Sequence, residues 1–527
     1  MNPKTLILIG LALVIMILIG WFLLQKKDKP AVVLPGDGPG RLYLQSCTVK
    51  IGQVRYVADC GRLVVPENRA NPDSRLIALP VRRIHSQDAK PAEPIFYLAG
   101  GPGSTNMNFL PPVWLLTHHD LVMVGYRGVD GTPKLDCPEV AEAMTGLNGD
   151  LLSPASLDHI SATMKNCAAR LQSEGVDLAG YTIPEVVEDM EAARIGLGYA
   201  RINLLSESYG TRLAQIYAYK HPDGLLRSAM IGVNPPGHFL WLPETSDAQV
   251  EYYAGLCRVD PKCRAQTRDL AAALRGVNQA MPRRWLFLPI DPGKVKIVAF
   301  AMLYHRTTAP IIFDAYLSAE KGDASGLALM SLVYDFILPR MMTWGEFFAI
   351  GSSADYEAGR DYRAELTRPD AILGAPMSLL IWGSADGWPI TPMAAKYRQV
   401  HSSDVETLLI SGSVDFSTPA QFARDELLPS LRNGKQVIIA EQGHVGDFWA
   451  FQPAAAERLL TSFYDSGNGD DSLYTLLPMD FKPAMSFPLL AKILLGTGIL
   501  LLLALGWVLW GIVRGIRRRK TSIAKQP

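Results

Sequence analysis

The chain has 527 residues, 48% hydrophobic and 19% charged, with 51 Lys and Arg balanced by 51 Asp and Glu. That length calls for several folding units, or one large core carrying an inserted lid. The missing basic excess excludes nucleic acid as the main partner, and the apolar content excludes a largely disordered chain.

Residues 6–24 form a run of 19 in which only Gly10 and Gly20 fall outside the apolar set. About 20 apolar residues cross a bilayer as a helix. No small-x-small cleavage site follows the run, so residues 1–29 read as an uncleaved transmembrane signal anchor rather than a signal peptide. Residues 493–513 form a second run, broken by Thr497 and four glycines and carrying Trp507 and Trp510 near its far end, where interfacial aromatics belong. Residues 514–527 hold six Lys and Arg and no acid, which places this tail in the cytoplasm. The two ends account for all the positive excess. Residues 30–513 keep 41 Lys and Arg against 50 Asp and Glu, a net of −9.

Six cysteines, Cys47, Cys60, Cys137, Cys167, Cys257 and Cys263, lie between the two runs. Of the 15 connectivities, pairing of sequence neighbours is the simplest. An even set in a large domain fits an oxidising compartment. The domain is therefore expected in the periplasm or outside the cell, with both termini cytoplasmic. Lys26, Lys27 and Lys29, just after the first run, pull against that orientation.

Between the runs, short apolar segments alternate with helical patterns. Strands are expected at 95–98, 121–124, 202–205, 228–233, 379–382, 407–410 and 436–440, most without period-2 alternation, as in parallel strands covered on both faces. A helix is expected from Thr182, with Pro184 in its first turn and Glu185 in capping-box position, and another at 209–220. This alternation predicts an α/β fold with a mostly parallel sheet. Residues 30–234 and 376–465 form its two parts, and residues 235–375, helical and rich in aromatics, form an inserted cap. Residues 466–492 make a linker to the second run.

Four motifs carry chemistry. Ser206-Glu207-Ser208-Tyr209-Gly210 sits between a strand and a helix, the setting of a nucleophile elbow, with Ser206 in place of the usual first glycine. Leu98-Ala99-Gly100-Gly101-Pro102-Gly103 follows a strand and offers backbone N–H groups to a developing oxyanion. Asp415 follows the strand 407–410, and His444 follows the strand 436–440. The order oxyanion loop, Ser, Asp, His is that of the α/β hydrolases. Asp386, in Trp382-Gly383-Ser384-Ala385-Asp386, is a competing acid; Asp415 is preferred because a single strand separates it from His444.

The Gly100–Gly103 loop, Tyr126-Arg127-Gly128-Val129-Asp130-Gly131-Thr132, Ser206–Thr211 and Ser411–Pro419 resemble the proline iminopeptidase and tripeptidyl-aminopeptidase family of α/β hydrolases. So do Cys60–Pro66 and the surroundings of Cys137 and Cys263. The resemblance implies an α/β-hydrolase fold with a helical cap, Ser208 as nucleophile, Asp415 as acid, His444 as base, and the N–H groups of Gly101 and Tyr209 as oxyanion hole. Ala99 stands where many members have His, and Gly125 where Asp is common. Cap acids hold the substrate's amino terminus in that family; Glu244, Glu251, Glu346 and Asp355 are candidates here, none of them in a motif that matches the family's.

The expected function is a membrane-anchored serine aminopeptidase of prolyl or tripeptidyl type, using no metal or organic cofactor, on a peptide or small acyl substrate. Alternatives are a tethered esterase or lipase, and a non-catalytic binding module. Gly496, Gly498 and Gly506 permit close packing with a partner membrane helix, without forming G-x-x-x-G.

Overall fold

The computed structural model describes residues 31–145 and 149–523. Its strands are β1 (Leu42–Ile51), β2 (Val54–Pro66), β3 (Leu76–Ile84), β4 (Ala92–Leu98), β5 (His119–Val124), β6 (Ile202–Glu207), β7 (Leu225–Ile231), β8 (Arg284–Trp285), β9 (Leu288–Pro289), β10 (Glu406–Gly412) and β11 (Gly434–Ile439). Nine of them form one sheet in the order β1-β2-β3-β5-β4-β6-β7-β10-β11. β1, β2, β3 and β5 pair antiparallel in succession. From β5 to β11 the strands are parallel.

The central parallel strands are covered on both faces by helices. Every residue of β5 and β6 is buried. From β4 the chain moves one way along the sheet, to β5; from β6 it moves the other way, to β7. The loops leaving β4 and β6 therefore diverge, and the crevice that opens at such a switch point is where α/β sheets bind ligands.

Between β7 and β10 the chain is helical except for the small β8–β9 hairpin. Here one expected strand is corrected. Residues 379–382 belong to a helix, Pro376–Trp382, with proline in its first turn. A four-residue apolar run does not distinguish a buried strand from a buried helix, and this one is apolar because Leu380, Ile381 and Trp382 are buried in the cap. The capping box at Glu185 is also not formed. Thr182 caps the helix Ile183–Gly196 without a side-chain bond, and the Glu185 carboxylate instead meets Arg69 Nη1 at 2.6 Å.

The disulfides are Cys47–Cys60, Cys137–Cys167 and Cys257–Cys263, the sequential pattern, with Cα separations of 5.8, 5.8 and 5.1 Å. A 37-residue helix, Phe487–Ile523, ends the described chain. Among the described residues it is the one helix long and apolar enough to cross a membrane. The N-terminal run 6–24 lies outside the described residues.

Arg127 holds the segment after β5 in place. Its guanidinium is fully buried, donates to both oxygens of Asp189 at 2.7 Å, and reaches the carbonyls of Glu67 and Gly180. Asp189 also takes Arg69 Nη2 at 2.7 Å, so loss of Arg127 leaves it one cation and chiefly orphans the buried Glu67 and Gly180 carbonyls. Arg127→Met should therefore lower unfolding stability by about 1–3 kcal/mol in urea titration of the detergent-solubilised chain; a loss of about 3–5 kcal/mol would show that Arg69 does not compensate Asp189.

Candidate active site

Ser208 begins the helix Tyr209–Lys220 directly after β6, at φ 50° and ψ −118°. A non-glycine residue rarely adopts a positive φ, and here the surrounding chain enforces it. The helix start presses against the end of β4: a Cβ on Gly210 would lie 2.3 Å from the Leu98 carbonyl oxygen. Ser206, in the place of the first motif glycine, is fully buried and donates its hydroxyl to the Ala229 carbonyl at 3.1 Å, so its polar group is satisfied.

Asp415 and His444 emerge from β10 and β11 and meet. His444 Nδ1 is 2.8 Å from Asp415 Oδ2, which also accepts from the Thr418 hydroxyl at 2.8 Å. Asp415 Oδ1 accepts from the backbone N–H groups of Ser417 and Thr418 at 2.9 and 2.8 Å. A buried carboxylate held by four donors keeps its orientation and directs the Nδ1–H tautomer, which leaves Nε2 as the basic nitrogen. Gly232 makes room for the imidazole: a Cβ there would sit 2.8 Å from His444 Cε1. The cap clamps both loops. The Tyr304 carbonyl accepts from the His444 N–H at 2.7 Å, and Trp241 Nε1 donates to the Ser417 carbonyl at 2.7 Å. Asp386, the competing acid, is exposed in a turn and bonds Tyr356.

Ser208, His444, Gly100, Gly101 and Tyr209 line one cavity of about 530 Å³. The loop after β4 that forms its floor is tied from below. Asn106 donates to the carbonyls of Tyr97 and Val124 and accepts from the Ala99 N–H, while Asp130 accepts from the N–H groups of Asn106 and Tyr126. This arrangement includes two positions that depart from the family pattern and explains the second. Ala99 has its backbone held by Asn106 and Tyr126. Gly125 has no room for a side chain, since a Cβ would fall 2.6 Å from both Asp130 and Pro80.

The cap forms the cavity roof with Phe239, Trp241, Tyr304, Trp344, Phe347, Phe348 and Trp382 among others. None of the four cap acids lines it. Glu244 and Glu251 are exposed. Asp355 is buried against Arg212 at 2.9 Å. Glu346 is buried beneath the loop, where its carboxylate accepts from the Gly103 N–H. Burial pushes its pKa up to about 8, against the pull of that N–H and with a further push from Asp130. The acid that does line the cavity is Glu207, next to Ser208. Tyr97 and Trp449 each donate to it at 2.6 Å. Burial raises its pKa, while those two bonds and His444 lower it. Its position inside the elbow motif was the available sequence signal, but nothing in the sequence placed Tyr97 and Trp449 around it.

A family profile described as an alpha/beta hydrolase fold matches residues 93–259. With the sheet order and the elbow, this makes the chain an α/β hydrolase by fold. Within that class it is similar to the tripeptidyl aminopeptidase of Streptomyces coelicolor, at 26% identity over 450 residues, 77% of this chain and 81% of that protein. It is also 26% identical to the serine protease Hip1 of Mycobacterium tuberculosis over 193 residues, 34% of this chain and 36% of that protein. The solved proline iminopeptidase of Mycobacterium smegmatis aligns with 80% of this chain and 98% of its own, at 14% identity and a TM-score of 0.37. The resemblance carried by the motifs is thus borne out: these curated relatives are named as serine peptidases or aminopeptidases, and the chain is a serine hydrolase of the α/β fold.

Glu346 implies a pH dependence. Its folded pKa, about 8, lies above the ordinary value of 4.5, so folding retains a proton that the unfolded chain releases. Stability is fully present below about pH 4.5, falls as pH rises towards about 8, by up to about 1.4 kcal/mol per unit, and levels beyond. Glu346→Gln should flatten this slope, making the variant the more stable protein at pH 9 and not at pH 4.5. Urea midpoints at the two pH values decide the matter; parallel curves would rule out the buried proton.

Proposed function

We propose that the chain is a membrane-anchored serine peptidase releasing residues from the N-terminus of peptides, with Ser208, Asp415 and His444 as its triad. The observation that carries the triad is the strained Ser208 lining one cavity with His444, whose Nδ1 is held by the buried Asp415. In this mechanism His444 Nε2 takes the Ser208 proton as Oγ attacks the substrate carbonyl. Asp415 holds the imidazole and stabilises its cation. The N–H groups of Gly101 and Tyr209 receive the oxyanion; that of Tyr209 is suited to this because the first N–H groups of a helix lack intrahelical partners. His444 then protonates the departing amine, and water, deprotonated by His444, releases the acyl group from Ser208.

The peptidase assignment is supported by the relatives' names. The apolar cavity roof, with no cap acid to hold an ammonium group, favours a second reading: an esterase acting on acyl chains. Three disulfides and the C-terminal apolar helix support a domain held outside the cytoplasm on a membrane. The N-terminal run would be a second anchor.

Ser208→Ala should abolish labelling by a fluorophosphonate probe, and Asp415→Asn should cut kcat by about 10⁴. A Ser208→Ala protein that still labels, or a parent that never does, would sink the triad. Among substrates, cleavage of tripeptidyl or prolyl anilides well above p-nitrophenyl esters is expected; turnover of esters alone would establish the second reading.

A further inference from the structure

The cap carries exposed apolar side chains that nothing else in the described chain covers. Leu332, Phe336 and Ile337 project from the helix Ser325–Ile337, Met341 follows it, and Leu286 and Phe287 form the tip between β8 and β9. Phe336 is 69% exposed and Phe287 73%. The β8–β9 hairpin packs on the same helix, so these side chains share one region of the cap surface. Residues 283–289 read Arg-Arg-Trp-Leu-Phe-Leu-Pro and residues 336–342 Phe-Ile-Leu-Pro-Arg-Met-Met. Neither stretch holds an acid, within a body of net charge −9, and Asp335, just before the second, is neutralised by Lys294 Nζ at 2.6 Å. Aromatic, aliphatic and arginine side chains without acids are the composition of a surface at a lipid boundary.

The C-terminal helix packs against this same helix. Ser325 Oγ donates to the Pro488 carbonyl at 3.3 Å, and Lys492 Nζ lies 2.6 Å from Asp323. The C-terminal helix stays partly covered as far as Gly498, and from Ile499 onward every side chain whose exposure is described is exposed. The apolar run 493–513 measures about 31 Å as a helix, against about 30 Å of hydrocarbon, so it has no length to spare. Residues 493–498 thus lie in hydrocarbon while still against the body. About 9 Å of the body beside them then lies below the membrane surface.

We propose that the cap docks into the outer leaflet of the bilayer through Leu286, Phe287, Leu332, Phe336, Ile337 and Met341, with Arg284 and Arg340 at headgroup level. This rests on reading the C-terminal helix as a membrane span. Met341 also lines the catalytic cavity, as do Tyr334 and Leu338 of the same segment. The cavity mouth therefore opens at the leaflet, and amphiphilic substrates dissolved in lipid reach Ser208 without passing through water.

All six native cysteines are paired, so Phe336→Cys in the full chain provides one reactive thiol. Labelled with NBD and reconstituted in phosphatidylcholine–phosphatidylglycerol vesicles, it should show blue-shifted emission quenched by a nitroxide high on the acyl chain. Val57→Cys, exposed on β2, should show neither. Water-like, unquenched emission at position 336 overturns the proposal. So does a blue shift that ignores the nitroxide and fades as protein is diluted in lipid, which assigns the face to a second copy. In a second arm, the Leu332→Ser, Phe336→Ser, Ile337→Ser variant should lose about tenfold on a long-chain ester presented in vesicles and keep its rate on p-nitrophenyl acetate. Equal loss on both, or on neither, overturns supply from the leaflet. A parent inactive on every substrate defeats the catalytic reading, while the NBD arm still decides the docking.

Discussion

The close approach between the end of β4 and the start of the helix after β6 sets the terms for the rest of the site. The Leu98 and Ala99 carbonyls leave no space for a side chain at Gly210. The chain reverses from strand to helix within one residue, and that residue, Ser208, takes the positive φ. The same contact brings the loop after β4 alongside Ser208: a Cβ on Gly100 would lie 3.2 Å from the Ser208 Cβ. Ser208 and the loop after β4 are therefore one packing solution. The surrounding bonds, Asn106 to two strand carbonyls and Asp130 to two N–H groups, hold a loop that its own glycines would leave free.

Buried charge follows the same logic. Arg127 with Asp189, and Arg212 with Asp355, tie the segments flanking the site to the core and to the cap. Each pair is expensive to desolvate and more expensive to break, so it fixes position more than it adds stability. Glu346 has no cation beside it and instead keeps a proton up to about pH 8. Asp355 and Glu346, both cap acids, thus serve the frame around the cavity, and the cavity roof is left apolar.

The legible parts of the sequence were those where local chemistry and tertiary demand agree. The elbow announces itself because the turn needs Gly210 and a small residue at 206; Asp415 and His444 follow apolar runs that are strands. Cysteines 13, 30 and 6 residues apart pair as neighbours because each pair lies on adjoining elements. The reading failed where the reason for a residue lay in a distant partner. Residues 379–382 are apolar because they are buried in the cap, not because they form a sheet. Glu185 leaves its helix N-terminus for Arg69, more than a hundred residues away. Glu207 lies inside the best-read motif, yet its place in the cavity depends on Tyr97 and Trp449.

The cap's composition is understood from the two surfaces it presents. A lid over a water-filled cleft would bury aromatics on one side and offer charge on the other. This cap is apolar towards Ser208 and apolar again at Phe336 and Phe287, with the helix Ser325–Ile337 contributing to both. Such a helix is poorly suited to water, since exposed apolar patches of this kind invite association. If the C-terminal helix spans a membrane, as proposed, the same residues gain by leaving water, and the attachment of Pro488 and Lys492 at the start of the cap helix would set which face turns to the lipid. On that proposal, anchoring and substrate access would both follow from one packing contact, that between the cap helix and the C-terminal helix.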